Sequence, residues 1–286
     1  MSSIQLIEHP LFKQQKVTVC VKRDDQVHPI ISGNKWYKLK YHFQAFFGGQ
    51  YDCLASFGGP YSNHLHALAY AGKEKGVRTI GFIRGEQILP LNPTLRDCVD
   101  WGMTLIPISR QQYKLKHDLR TLKAYQAFYP NMYIIPEGGS GILGVKGSMG
   151  MVSVEQAKSF DHIVVAAGTG TTAAGIIANV SSATKVHVIA ALKAKQWLEN
   201  EISHYLDELC ISGKQWSVFE DYTFGGYAKR PRELLDFIER ENKFLPLEPI
   251  YTAKAWFALH EMIHEQIIPS NERVLFIHTG GLQGWR

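Results

Sequence analysis

About nine short apolar runs, separated by amphipathic segments, recur from end to end of the 286 residues. The runs are Val17–Val21, Cys53–Phe57, Arg78–Ile83, Thr104–Ile106, Tyr133–Ile135, His162–Ala167, Val186–Ala191, Trp216–Phe219 and Arg273–Ile277. Between them, apolar spacing predicts helices over Ser62–Lys75, Asn92–Trp101, Gly144–Ser159, Thr171–Val180, Trp197–Leu209, Pro231–Asn242 and Thr252–Gln266. Strand, helix, strand, repeated, gives a parallel sheet covered on both faces. So many strands are too many for one compact sheet. The expected fold is α/β, with two doubly wound open parallel-sheet domains and a cleft between them. Ligands of such sheets sit beyond the carboxyl ends of the strands, so the residues after each strand matter most.

Composition narrows the function. Thirty-one basic against 26 acidic residues leave 31 − 26 = +5. That mild, dispersed excess suits a small anionic ligand and gives no nucleic-acid footprint. The densest basic stretch, Arg110 to Lys123, is interleaved with Leu115, Leu119 and Leu122 and reads as the solvated face of an amphipathic helix. Cys20, Cys53, Cys98 and Cys210 are widely spaced, as free thiols of a reducing compartment are. No apolar run approaches the ~20 residues that span a bilayer, and the first residues carry no basic, then apolar, leader pattern. A cytoplasmic enzyme with no membrane partner is expected.

Three post-strand segments carry chemistry. His162–Ala167 runs into Gly168-Thr169-Gly170-Thr171-Thr172. Glycines let backbone N–H groups approach an anion, and the following helix adds its positive end. The Gly-Lys-Ser/Thr ending of a nucleotide P-loop is absent. A dinucleotide fingerprint fits loosely but lacks the acidic residue at the end of the next strand, where Ile189-Ala-Ala-Leu-Lys193 stands. What remains is a phosphate cradle for a cofactor without a ribose to grip, or a tight turn with no ligand. The second segment is Ser32-Gly33-Asn34-Lys35. A lysine that bonds covalently to a carbonyl must be partly desolvated, which Ile30, Ile31 and Trp36 could provide. Lys38 and Lys40 are its competitors. The third is Ser56 to His64, where Ser62 is either a plain helix N-cap or part of a polar cluster aimed at a carboxylate.

Six motifs then occur in one order: Ser-Gly-Asn-Lys35, Gly58-Gly-x-x-Ser-Asn-His64, Pro136-Glu-Gly-Gly-Ser140, Gly168-Thr-Gly-Thr-Thr172, Pro249-Ile-Tyr-Thr252 and His278-Thr-Gly-Gly281. From about Val21 onward the chain resembles the D-cysteine desulfhydrase and 1-aminocyclopropane-1-carboxylate (ACC) deaminase family. That family belongs to the tryptophan-synthase-β-like enzymes that use pyridoxal 5'-phosphate (PLP). The resemblance implies that Lys35 holds PLP covalently and that Gly168, Thr169, Gly170, Thr171 and Thr172 bind its phosphate. It further implies that Asn63 meets the ring oxygen and that Thr252 and Thr279 lie near the ring. Ser62, Asn63 and His64 would take the substrate carboxylate, with Ser62, Tyr227 and Tyr251 as catalytic groups beside Lys35. A large cofactor domain of residues 1–48 and 136–286, a small domain of residues 49–135, a homodimer and a small amino-acid substrate are expected with it.

Two departures bear on substrate. ACC deaminases carry glutamate where this chain has Thr252, and Ser-Asn-Gln where it has Ser-Asn-His64. Both favour D-cysteine desulfhydration, with ACC deamination as the alternative. A rival from another class is His260-Glu-x-x-His264, whose spacing on a helix suits zinc hydrolysis with Glu261 as base and Glu272 as the nearest downstream ligand. A third reading is a binding domain without catalysis, which Lys35, Ser62 and Tyr251 together argue against.

Overall fold

The computed structural model describes residues 2–285. Its strands are β1 (Ile4–Leu6), β2 (Thr18–Lys22), β3 (Cys53–Gly58), β4 (Arg78–Arg84), β5 (Met103–Ile108), β6 (Met132–Ile135), β7 (His162–Ala167), β8 (Lys185–Ala190), β9 (Gln215–Phe219) and β10 (Arg273–Ile277). Its helices are α1 (Pro10–Gln14), α2 (Asn34–Phe47), α3 (Asn63–Lys75), α4 (Pro93–Asp100), α5 (Arg110–Lys114), α6 (Leu119–Phe128), α7 (Ile142–Met149), α8 (Val154–Ala157), α9 (Thr171–Asn179), α10 (Lys195–Glu208), α11 (Arg232–Glu241) and α12 (Thr252–His264).

The strands form two sheets, as the strand count required. One has the order β1-β2-β10-β7-β8-β9, the other β5-β4-β3-β6. Every ladder is parallel except β1 on β2. Each sheet is covered on both faces. On the six-stranded sheet, one core gathers Val145, Ile163, Ile176 and Leu198, and the other gathers Phe12, Val164, Leu234 and Trp256. On the four-stranded sheet, one core holds Leu39, Leu54 and Leu68, and the other Phe57, Phe82 and Tyr113. Strands β3 and β7 are buried along their whole length, which is why they read as unbroken apolar runs.

Three sequence expectations need correction. The antiparallel edge strand β1 pairs Ile4 with Lys22, yet all three of its residues are exposed, so no alternation announced it. The expected helix over 144–159 is two: α7 ends at Gly150, and Ser153 starts α8 with a capping box to Gln156. The basic amphipathic stretch is likewise split into α5 and α6, capped by Ser109 and Asp118.

Parallel pairing brings the carboxyl ends of β2, β10 and β7 side by side, with Ile277 opposite both Lys22 and Val165. The chain leaves β7 into the glycine loop, β10 into His278–Gly281, and β2 into the loop that ends at Gly33, just before Lys35 in the first turn of α2. Helix α2 joins the two halves. It buries Leu39, Phe43 and Phe46 in the four-stranded sheet's core, while Gly147 of α7 packs against the backbone of Tyr37 and Lys38.

Candidate active site

Gly33 sets the position of Lys35. Its φ of +68° suits glycine, and a β-carbon there would lie 1.8 Å from the carbonyl oxygen of Thr279. The loop before α2 is thereby pressed onto the segment after β10, where Asn34 N–H donates to Thr279 O at 3.2 Å. The next residue is the first lysine of α2. Its amine donates to Asn34 Oδ1 at 2.8 Å, and Asn34 Nδ2 donates to Thr172 Oγ1 at 2.9 Å. Lysine, asparagine and phosphate-loop threonine thus form one chain of hydrogen bonds. The residue retains some accessible surface, but desolvation of the amine lowers its pKa from 10.5 to about 8, partly opposed by the carboxylate of Glu248.

The competing lysines are disposed differently. Lys40 is exposed. Lys38 is buried, donates to the Gly138 carbonyl at 2.8 Å and reaches Thr169 Oγ1 at 3.5 Å. Burial, then the charge of Lys35, pushes its pKa well below the ordinary value.

The glycine loop fits an anion. Gly170 takes a left-handed φ of +72°, and α9 starts at Thr171. Among the described residues, no acceptor takes the backbone N–H groups of Gly168, Thr169 or Gly170. The N–H groups of the first turn of α9 add to these donors. Three unpaired donors, the hydroxyls of Thr169, Thr171 and Thr172, and a desolvated lysine joined to Thr172 through Asn34 match what PLP demands. Two open clefts lie elsewhere, lined by Gly85, Glu86 and Arg110 in one and by Lys193, Asp221 and Glu261 in the other.

Tyr251 stands against the first glycine. A β-carbon on Gly168 would lie 3.2 Å from its ring and 3.5 Å from its hydroxyl. Tyr227 is 48% exposed, with its ring 6.1 Å from that of Tyr251. Burial, and then the neighbouring Tyr227, raises the pKa of Tyr251 well above the ordinary phenol value. Asn63 accepts from Gln283 Nε2 at 2.8 Å through its carbonyl, which leaves its amide to donate, and that amide faces Gly281. Thr279 Oγ1 has no hydrogen-bond partner among the described residues.

Three of the expected residues make hydrogen bonds within the protein. Ser62 caps α3 by accepting from Leu65 N–H at 3.2 Å. His64 is buried with its Nε2 2.9 Å from Ser56 Oγ on β3, beneath the Gly138–Gly139 turn. Thr252 is fully buried, and its hydroxyl accepts from Glu248 N–H at 2.9 Å and faces the Glu248 carboxylate at 3.2 Å.

Glu248 is the residue that motif reading missed. Its buried carboxylate accepts the N–H groups of Ile250, Tyr251 and Thr252 at 2.6–2.8 Å and so caps α12. Burial raises its pKa, against those bonds. A β-carbon on Gly281 would lie 3.0 Å from Asn63 Nδ2 and 3.2 Å from Glu248 Cγ, so acid, amide and glycine turn share one corner. The only sequence signal was an acid three residues before the Tyr251-Thr252 helix start.

The zinc-hydrolase reading fails on the helix itself. His260 is buried and His264 exposed, so the two imidazoles do not share a ligand face. Burial, and then His9, holds the His260 pKa near 3. Glu272 pairs instead with His162.

Residues 4–280 match the family described as pyridoxal-phosphate dependent enzyme. A Thermotoga maritima protein named as a candidate ACC deaminase is 30% identical, over 93% of this chain and 89% of its own. A mitochondrial protein of Arabidopsis thaliana, named bifunctional D-cysteine desulfhydrase/ACC deaminase, is 27% identical over 92% of this chain and 72% of its own. A solved structure described as an ACC deaminase homologue superimposes with a TM-score of 0.82 at 26% identity, covering 99% of this chain and 90% of that one. Among the described residues, no helix is long and apolar enough to cross a membrane. The chain belongs to the pyridoxal-phosphate-dependent enzymes of the tryptophan-synthase-β-like fold, in the group of lyases and deaminases that holds the ACC deaminases and D-cysteine desulfhydrases.

Proposed function

We propose that this enzyme eliminates sulfide from D-cysteine, giving pyruvate and ammonia, with Lys35 as the lysine that carries PLP. The observation that carries the reading is the hydrogen-bonded chain from the desolvated Lys35 amine through Asn34 to Thr172, beside the unpaired donors of Gly168–Gly170. These loop donors would hold the phosphate, with Thr169, Thr171 and Thr172. Asn63 and Thr279 would face the ring. When bound, PLP withdraws electrons from the substrate's Cα and so acidifies its proton.

The chain's own groups do the rest. The Lys35 amine, neutral in part near pH 8, accepts the Cα proton. The N-terminus of α3, with Ser62 and Asn63, receives the substrate carboxylate on its backbone and amide donors. His64 supports that turn from below through Ser56 and does not itself reach outward. Tyr251, kept protonated at neutral pH by burial, can hand a proton to the departing sulfur, with the ring of Tyr227 6.1 Å from its own. The lost C–S pair leaves as hydrosulfide, and water then releases ammonia from the three-carbon remainder. The allotment of residues 1–48 and 136–286 to a cofactor domain and 49–135 to a small domain belongs to the same reading and is supported by sheet membership. So does a homodimer.

The D-cysteine preference is supported by Thr252, whose hydroxyl is committed to Glu248 where ACC deaminases present a glutamate. ACC deamination is the second reading, favoured by the names of the relatives. Sulfide and ammonia assays on D-cysteine, L-cysteine and ACC decide between them. Sulfide from D-cysteine well above the other two supports the proposal. 2-Oxobutyrate from ACC without sulfide from D-cysteine overturns it.

A further inference from the structure

His9, Glu241 and His260 converge from three elements that no motif connects: the N-cap of α1, the last turn of α11 and the buried face of α12. One nitrogen or oxygen from each lies within 4.8 Å of the other two. His9 Nε2 is 3.5 Å from Glu241 Oε1, and His260 Nε2 is 3.5 Å from Glu241 Oε2. His260 is 8% exposed, and its Nε2 is buried with no hydrogen-bond partner. A separation of 3.5 Å is long for an N–H···O bond. Each imidazole faces a different oxygen of one carboxylate, an arrangement that a cation about 2.0–2.1 Å from each ligand can bridge.

We infer that these three side chains form a binding site for a zinc-like divalent cation, separate from the PLP site. Two imidazoles and one carboxylate suit Zn²⁺ or Co²⁺ and disfavour Mg²⁺ and Ca²⁺, which take oxygen ligands. The surroundings are those of a held site. Trp256 Nε1 donates to Glu241 Oε2 at 2.9 Å and fixes the carboxylate. The rings of Phe12, Phe237 and Phe244 pack against the two imidazoles and form an apolar shell. His9, with its side chain 12% exposed, leaves an entry from solvent. Binding makes one exchange: His9 Nδ1 now accepts from Leu11 N–H at 3.2 Å. With Nε2 on the cation, Nδ1 carries the ring proton and Leu11 N–H passes to water. The cation would tie the N-terminal segment to the far end of α12, the helix whose first turn carries Tyr251 and Thr252.

The test titrates Co²⁺ into chelator-treated, PLP-loaded enzyme and follows the visible d–d bands, with Zn²⁺ as competitor and the thermal midpoint as second readout. One equivalent of Co²⁺ is expected to bind and be displaced by Zn²⁺, with the midpoint raised by several degrees. His9→Gln, at a partly exposed position that leaves the core intact, is expected to weaken binding by about 100-fold, as is His260→Gln. His264→Gln, the other half of the His-Glu-x-x-His pattern, is expected to leave binding unchanged. No stoichiometric Co²⁺ signal, or a site lost with His264→Gln and kept with His9→Gln, overturns the inference.

Discussion

Asn34 and Thr172 are joined by a 2.9 Å hydrogen bond that links the first residue of α2 to the second residue of α9. Because Asn34 Oδ1 also accepts from the Lys35 amine, one side chain fixes the distance between the covalent anchor and the phosphate loop.

Asn34→Ala breaks both contacts at once. A buried hydrogen bond is worth ~1 kcal/mol, more when one partner is charged. PLP affinity is therefore expected to fall about tenfold, with a modest loss of stability. Equilibrium dialysis of the variant against PLP checks this, and an unchanged dissociation constant would contradict the linking role.

Thr172→Ala removes a loop hydroxyl and spares the lysine. Cofactor retention should weaken by roughly tenfold, the size of one hydrogen bond to a charged group. Turnover per bound PLP should change little. If affinity holds and turnover of the bound fraction collapses, Thr172 is not part of a phosphate cradle.

Gly33→Ala places a methyl group 1.8 Å from Thr279 O on a backbone at φ +68°. Overpacking and a positive φ combine, and the cost should be about 3 kcal/mol. Urea unfolding measures it. A loss below about 1 kcal/mol would show that the two loops part easily and that their close approach does not position Lys35.

These sites differ in how readable they were. Strands β3 and β7 announced themselves because burial on both faces demands unbroken apolar runs. Strand β1 did not, since an exposed edge strand carries no pattern. Lys35 owed its selection over Lys38 to family resemblance, because the difference between them is desolvation and partners, which spacing does not encode. Glu248 sits in a proline-flanked loop with no periodicity and reaches its corner through tertiary folding alone. The His260 and His264 spacing misled because α12 turns one imidazole into the core and the other into solvent.

Desolvation gives Lys35 a distinct pH dependence. Its amine pKa is lowered from 10.5 to about 8, so the neutral, nucleophilic form is gained as pH rises through 8 rather than through 10.5. The same shift opposes folding of the apoenzyme below about 8, where a charged amine must be buried, and that penalty fades as pH rises toward 10.5. Pulse reaction of apoenzyme with PLP, quenched by borohydride and read on the Lys35 peptide, should show a rate that climbs with a midpoint near 8. A rate still climbing without a plateau toward 10.5 would mean that the amine is solvated.

Borohydride reduction of the PLP-loaded enzyme, followed by peptide mass spectrometry, identifies the lysine that carries the cofactor. The visible absorption band is expected to disappear and a pyridoxyl adduct to be found on Lys35, with both the band and the adduct absent from Lys35→Ala. An adduct on Lys38, or an unchanged spectrum in Lys35→Ala, would overturn that assignment.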